Sequence, residues 1–220
     1  MISFIIPWRS GDSFREESFH YVLKFLDLHF PESQIAIGED SSTIFNRSKA
    51  RNNAFKECNN DIICILDADT IVPSESIHQA YIDLKSENTW VIPYQDYFNL
   101  TQEFSLDIVK SFEPDKFPAE SDFIYDFKIL SWAGALFLTK EMYEKVGGYD
   151  ERFEGWGWED VAFRIKLDNM IGKHTRCGSY AAHLWHPRDD SDFGTEFELK
   201  NRKLFDKEYR RKYGWRDERI

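Results

Sequence analysis

An α/β fold, with a mostly parallel central sheet covered by helices on both faces, is predicted by three features of this 220-residue chain. Short apolar runs that read as buried strands alternate with longer segments of helical spacing, the pattern of repeated strand-helix units. The most apolar of these runs, residues 61–66 (Asp-Ile-Ile-Cys-Ile-Leu), ends at Asp67-Ala68-Asp69, and such sheets bind ligands beyond the carboxyl ends of their strands. No internal repeat or low-complexity linker divides the chain, and its length suits one domain with a sizeable core.

Element by element, Met1-Ile2-Ser3-Phe4-Ile5-Ile6-Pro7 is apolar but lacks a basic leader and is too short for a signal segment. Residues 3–6 are therefore expected as a first buried strand. Residues 13–30 have helical spacing, with Phe19, Val22, Leu23, Leu26 and Phe30 on one face that Phe14 and Phe25 widen. A strand over 34–37, a helix over 45–58 and the strand over 61–66 follow; then a helix over 74–86 and a strand over 90–93. From 94 to 129 the periodicity is lost among Pro114, Pro118 and many aromatic and acidic residues, which marks a long functional or mobile segment and a candidate acceptor loop. Residues 133–138 read as a small-residue strand, and 140–146 as a helix closed by Gly147-Gly148. Residues 159–167 read as a helix entered from a Gly/Trp turn.

Composition narrows the function. A net charge of -11 argues against duplex nucleic acid as a partner, because affinity for a phosphate backbone depends on basic contacts. Between residues 199 and 216, however, eight Lys/Arg stand against two Asp/Glu. This basic C-terminal helix is either a solvated helix or a surface for anionic lipid or an acidic acceptor, which would make the protein peripheral at a membrane. No stretch approaches the roughly 20 apolar residues of a membrane span. Three cysteines without metal-type spacing suit a reducing cytoplasm. The sequons at Asn46 and Asn99 would matter only in a secretory compartment.

Two acidic motifs carry the chemistry. An Asp-x-Asp after a buried strand can share one hard divalent cation, whose remaining positions take diphosphate oxygens. Alone the motif is weak, since any turn can hold two aspartates. Gly155-Trp156-Gly157-Trp158-Glu159-Asp160 supplies a second carboxylate pair at a helix start, where such residues also serve as caps and dipole partners. His183-Leu184-Trp185-His186-Pro187 places two histidines within four residues, which favours metal ligation over the ordinary structural role of a lone histidine.

The order of Phe45-Asn46-Arg47-Ser48-Lys49-Ala50-Arg51-Asn52, Asp67-Ala68-Asp69, Trp132-Ala133-Gly134-Ala135, Gly147-Gly148-Tyr149-Asp150 and Gly155-Trp156-Gly157-Trp158-Glu159-Asp160 resembles the GT-A glycosyltransferases. Within them the chain is most similar to the beta-galactosyltransferase and chondroitin-polymerase types. The resemblance spans residues 3 to 187. It implies a nucleotide-binding half over 1–93, an acceptor and catalytic half over 94–194 with the 94–129 segment as acceptor loop, and the basic helix over 195–220.

Position by position, it implies that Pro7, Arg9, Phe45 and Arg47 line the uridine and diphosphate pocket, with Ala68 and Gly134 beside them. An arginine at a helix start suits bidentate phosphate contact; Phe45 is as readily explained by core packing. Asp67 would hold the ribose, or the cation through water, and Asp69 would ligate Mn2+ or Mg2+ directly. The peptide-modifying relatives favour His183 as a further ligand by its distance from Glu159, whereas the three-residue spacing of the galactosyltransferases matches His183 and His186 together. Trp156 would stack on sugar faces, with core packing as the alternative. In inverting members the acid matching Asp160 is the base and the one matching Glu159 hydrogen-bonds the acceptor; retaining relatives carry Asn in place of the former. Trp158 stands where the galactosyltransferases have glycine, which should narrow the acceptor side.

The implied reaction is metal-dependent, inverting transfer of a hexose or N-acetylhexosamine from a UDP-sugar to a hydroxyl of a glycan, glycolipid or other acceptor. A retaining transferase is one alternative. A nucleotidyltransferase acting on a sugar phosphate would leave the Gly/Trp-Glu-Asp segment unexplained. A non-catalytic sugar-binding module would not need Asp69, His183 and Asp160 together.

Overall fold

The computed structural model of the protein describes residues 1–87, 89–116, 118–129, 134–187 and 195–214, with 120 and 125–129 described by their backbone alone. Trp132 and Ala133 of the motif series, and the basic tract beyond 214, lie outside the described residues.

The first half follows the expected order: β1 (Ile2–Trp8), α1 (Ser13–His29), β2 (Gln34–Glu39), α2 (Arg47–Lys56) and β3 (Ile62–Leu66). Next come β4 (Thr70–Ile71), α3 (Ser74–Glu87), β5 (Val91–Ile92), β6 (Asp96–Leu100), α4 (Gln102–Ser111), β7 (Phe123–Ile129) and β8 (Ala135–Thr139). The chain continues through α5 (Lys140–Lys145), α6 (Glu159–Met170), β9 (Thr175–Arg176), β10 (Tyr180–His183) and α7 (Glu196–Phe205). A π-helical turn at Asp206–Arg210 then leads to α8 (Arg211–Tyr213).

The main sheet has the order β2-β1-β3-β8-β5-β9. β1 runs parallel to β2 and β3, and β5 to β9, while β8 is antiparallel to both its neighbours. β1 and β3 are central and covered on both faces, which is why they read as unbroken apolar runs. Phe4, Ile5, Ile6, Ile63 and Cys64 are fully buried, each large apolar side chain among them contributing about 1.5–3 kcal/mol. Side chains cap the helices: Asp12 accepts from the Phe14 and Arg15 amides, and Asn46 from the Lys49 amide. Asn46 is itself buried, and its Nδ2 donates to the Glu151 carbonyl, so in this fold the sequon at that position is spent on structure.

α2 is mostly polar yet packs on the sheet through Ser48, Ala50 and Ala54. A Cβ on Gly38 of β2 would meet the Ala50 carbonyl oxygen at 1.9 Å, so the helix backbone lies directly on the strand. This close approach is what allows a long side chain of α2, Arg51, to be buried.

The segment from 94 to 129 corrects the expectation of an aperiodic loop. It holds β6, α4 and β7, and β6 joins a second sheet of order β4-β10-β6-β7. α4 escaped the periodicity because its buried face is only Phe104, Ser105 and Ile108. Phe104 and Ile108, with Leu100, Tyr21, Ala182 and Leu184, form a core of their own. A third cluster joins Phe153, Ala162 and Ile165 to Phe205 and Tyr209, so the basic C-terminal helix is a packed element and not merely a solvated one. No helix among the described residues is long and apolar enough to cross a membrane.

Candidate active site

β3 ends at Leu66, and its last side chains leave Asp67 and Asp69 at the carboxyl edge of the sheet. Asp69 is joined there by both histidines. β10 pairs antiparallel with β4, setting His183 opposite Thr70, and the Leu184 amide donates to the Asp69 carbonyl at 2.8 Å. His183 Nε2 lies 3.6 Å from Asp69 Oδ1, and His186 Nε2 3.5 Å from Asp69 Oδ2. One ligand atom from each residue falls within 4.8 Å of the others, so both histidines belong to one candidate cation centre. The loop carrying them is anchored from α4, whose Ser105 hydroxyl accepts from the Trp185 amide at 3.0 Å. The expected loop segment thus contributes support to this centre.

Burial alone would favour a neutral Asp69. The two imidazoles outweigh it, with Arg15 of α1 adding to them, and hold the carboxyl far below the usual range. For His183 burial disfavours the charge, but Asp69 prevails and raises it; His186 is lowered, by burial. One carboxylate and two imidazoles fit a divalent ion with positions left for ligand oxygens, and the imidazoles favour a transition metal over Mg2+.

Asp67 faces the other way. Its Oδ1 accepts from Arg51 Nη2 at 2.8 Å, and its Oδ2 accepts from the Gly134 amide at 3.2 Å. Gly134 has φ +88° and is packed so that a Cβ would meet the Tyr97 ring at 2.5 Å. A glycine is needed there on both counts. Tyr97 in turn hydrogen-bonds Thr70 at 3.2 Å, next to the cation centre.

Glu159 and Asp160 open α6 after a left-handed turn in which Gly155, Gly157 and Trp158 all have positive φ. Trp158 bears that conformation without a glycine's freedom because its ring packs on Phe205 at 4.9 Å, with the Arg202 guanidinium 5.8 Å from it. Trp158, expected to narrow the acceptor side, docks the C-terminal helix. Asn201 of α7, almost fully buried, grips the same turn, donating to the Glu154 and Trp156 carbonyls and accepting from the Glu154 amide. Trp156 keeps a partly open ring, 36 % exposed.

Arg51, to which sequence reasoning gave no role, lies at the centre. Its Nη1 is 3.0 Å from Asp160 Oδ1 and 3.9 Å from Glu159 Oε1, while its Nη2 holds Asp67. Its guanidinium lies 4.7 Å from the centre of the Tyr149 ring. The signal that could have found it is its place four residues after Arg47, on the same side of α2. Burial raises the proton affinity of Asp160; Arg51 opposes this, Glu159 and Asp67 reinforce it, and the balance lies well above the usual carboxylate range.

The remaining expected residues sit around this frame. Arg47 Nη1 donates to the Gly155 carbonyl at 2.7 Å, and Phe45 accepts from the Gly155 amide through its carbonyl, so both tie α2 to the Gly/Trp turn. Arg9, at the end of β1, donates to the Ser42 and Thr43 carbonyls. Pro7 is buried in β1 opposite Gly38, and Ala68 is buried between the two aspartates.

Known structures share this fold. The catalytic domain of Drosophila beta1,4-galactosyltransferase 7, in complex with xylobiose, is similar over 91% of this chain and 79% of its own, at 17% identity and TM-score 0.58. Staphylococcus aureus TarS 1-349 in complex with UDP-GlcNAc is similar over 86% of this chain and 60% of its own, at 10% identity and TM-score 0.55. Glucosyl-3-phosphoglycerate synthase of Mycobacterium tuberculosis, in complex with Mn2+, UDP-glucose and phosphoglyceric acid, is similar over 84% of this chain and 72% of its own, at 11% identity and TM-score 0.52. At these identities the likeness is one of fold. No curated protein matches in sequence. The model of the family described as Glycosyltransferase like family 2 matches residues 12–202, and the chain, a glycosyltransferase, belongs to that family.

Proposed function

We propose that the protein transfers a hexose or N-acetylhexosamine from a UDP-sugar to a hydroxyl of a glycan-type acceptor, with inversion and with Mn2+ as cofactor. The observation that carries this reading is a three-ligand cation centre at the same sheet edge as Asp67, which one buried arginine joins to the Glu159–Asp160 carboxylate pair. Asp69, His183 and His186 would hold the cation, which when bound offsets the charge developing on the departing UDP. The choice of UDP and of Mn2+ is supported by the fold neighbours that hold UDP-GlcNAc, and UDP-glucose with Mn2+.

Asp160 takes the acceptor proton. A carboxylate with raised proton affinity, shielded from solvent, is suited to act as a general base near neutral pH. Glu159 beside it orients the acceptor hydroxyl, and the partly open Trp156 ring offers a face on which a pyranose can stack. The presence of Asp160, where the retaining, peptide-modifying relatives carry Asn, favours a single displacement.

Release of UDP from a panel of UDP-hexoses, with and without Mn2+, tests the reading. Mn2+-dependent release that disappears in Asp69→Ala is expected. Formation of pyrophosphate from a nucleoside triphosphate and a sugar phosphate, with no UDP release, would make the protein a nucleotidyltransferase instead.

A further inference from the structure

We propose that Arg51 is a positioning residue: its buried guanidinium fixes Asp67 of the Asp-x-Asp segment and Asp160 relative to each other, and its charge favours the ionised form of Asp160. The inference rests on the reading of Asp160 as base. Arg51 is 2 % exposed, and its Nη2 and Nη1 reach Asp67 and Asp160 at 2.8 and 3.0 Å. Only a planar, forked cation can hold two carboxylates from different elements in this way; an ammonium is a point charge on a flexible stem.

The surroundings are built to keep it there. Asn52, the next residue of α2, accepts from the Tyr149 amide at 2.9 Å and donates to the Tyr149 carbonyl at 3.0 Å. Tyr149, so held, stacks on Phe163 of α6 at 3.9 Å and presents its ring to Arg51. The Tyr149 hydroxyl also lies 3.4 Å from Asp160 Oδ1.

A core serving stability alone would not choose this cluster. Arg51 Nε and Glu159 Oε2 are buried without a hydrogen-bond partner among the described residues, and Arg51 Nη1 meets Asp160 as an ion pair; apolar residues of similar volume often stabilise a site of this kind at least as well. The groups facing Asp160 are Arg51 and Arg47 from α2, Asp67 from the end of β3, Tyr149 from the turn before α6, and Glu159 on α6 itself. Against the two other carboxylates, Arg51 is the close positive partner.

The test is a carbon-13 NMR titration of the Asp160 carboxyl in protein labelled at aspartate, assigned by its loss in Asp160→Asn, for the native chain, Arg51→Met and Arg51→Lys. Loss of the cation should raise the Asp160 midpoint by about one to three pH units. Arg51→Lys should leave the midpoint nearly in place, and its turnover should fall at every pH because the fork is lost. Mn2+ affinity, measured with the metal alone, should not change in either variant, since the cation centre makes no contact with Arg51. An unmoved Asp160 midpoint in Arg51→Met overturns the inference. Should Arg51→Met not fold, Arg51→Lys decides: native turnover in that variant overturns it equally. A native chain that titrates as expected but releases no UDP from any UDP-sugar would sink the proposed reaction while leaving the electrostatic role of Arg51 measured.

Discussion

Asp69 and Asp160 have nearly equal side-chain exposure, 22% and 18%, yet their proton affinities lie on opposite sides of the ordinary carboxylate value. Burial pushes both upward, so burial cannot be what separates them. The difference lies in how the neighbouring cations are shared. Asp69 has two imidazoles, with Arg15 behind them. Asp160 shares one close guanidinium with Asp67 and Glu159. The first arrangement makes a permanently ionised ligand and the second a carboxylate that can take up a proton. Pairs of acids whose surroundings push their proton affinities apart mark a division of labour.

The largest expected effect breaks the comparison on the Asp69 side. Asp69→Ala should abolish Mn2+-linked UDP binding by calorimetry while circular dichroism stays native, because a ligand at a strand end supports the cation and not the core. His183→Ala and His186→Ala should each weaken Mn2+ binding, as both rings reach Asp69; negligible effects from both would mean that the metal is held elsewhere. On the other side, Asp160→Asn keeps the size of the side chain but not the base, and turnover should fall by about 10²–10⁴-fold with Mn2+ affinity unchanged. Near-normal turnover would remove Asp160 from the chemistry.

The pH profile sharpens the same contrast. Asp160 must be ionised to accept a proton, and its proton affinity is raised, so activity should be present at high pH. It should be lost as pH falls through a midpoint above the usual carboxylate range. An acid limb at the ordinary carboxylate value would contradict the account.

Smaller effects come from the C-terminal helix, which supports only the Asp160 side. Phe205 is fully buried against Trp158, and Phe205→Ala should cost about 3–5 kcal/mol of stability, read from urea unfolding. Truncation after Gly194 removes Phe205 and Tyr209, which pack in a core cluster, and should destabilise the fold. Asn201→Ala removes the buried side chain that pairs with the Glu154 amide and the Glu154 and Trp156 carbonyls, at a cost of about 1–3 kcal/mol. It should raise the acceptor KM by loosening the Gly/Trp turn, without altering Mn2+ affinity.

What could be read beforehand follows from the range of the signals. β1, β3 and the acids after β3 are local features: an apolar run buried on both faces, then carboxylates at its end. The Gly/Trp turn before Glu159 and Asp160 is equally local. The approach of His183 and His186 to Asp69 is not, because it depends on the antiparallel pairing of the very short β4 with β10. Arg51 was hidden inside a polar helix whose burial rests on small residues and on Gly38 in a different element. The packing of Trp158 was hidden because its partner, Phe205, lies far along the chain. The second sheet was missed because β6 is half-exposed along most of its length and α4 has so narrow a buried face.

The central claim, that Asp160 drives a single in-line displacement, is tested most directly by proton NMR of the sugar released from a UDP-α-hexose, recorded before mutarotation and with water as the acceptor. The account predicts the β anomer as the first product, its anomeric proton showing the large diaxial coupling of an inverted centre in a gluco- or galacto-configured sugar. An initial α anomer would mean retention, and would contradict both the displacement and the assignment of Asp160 as its base.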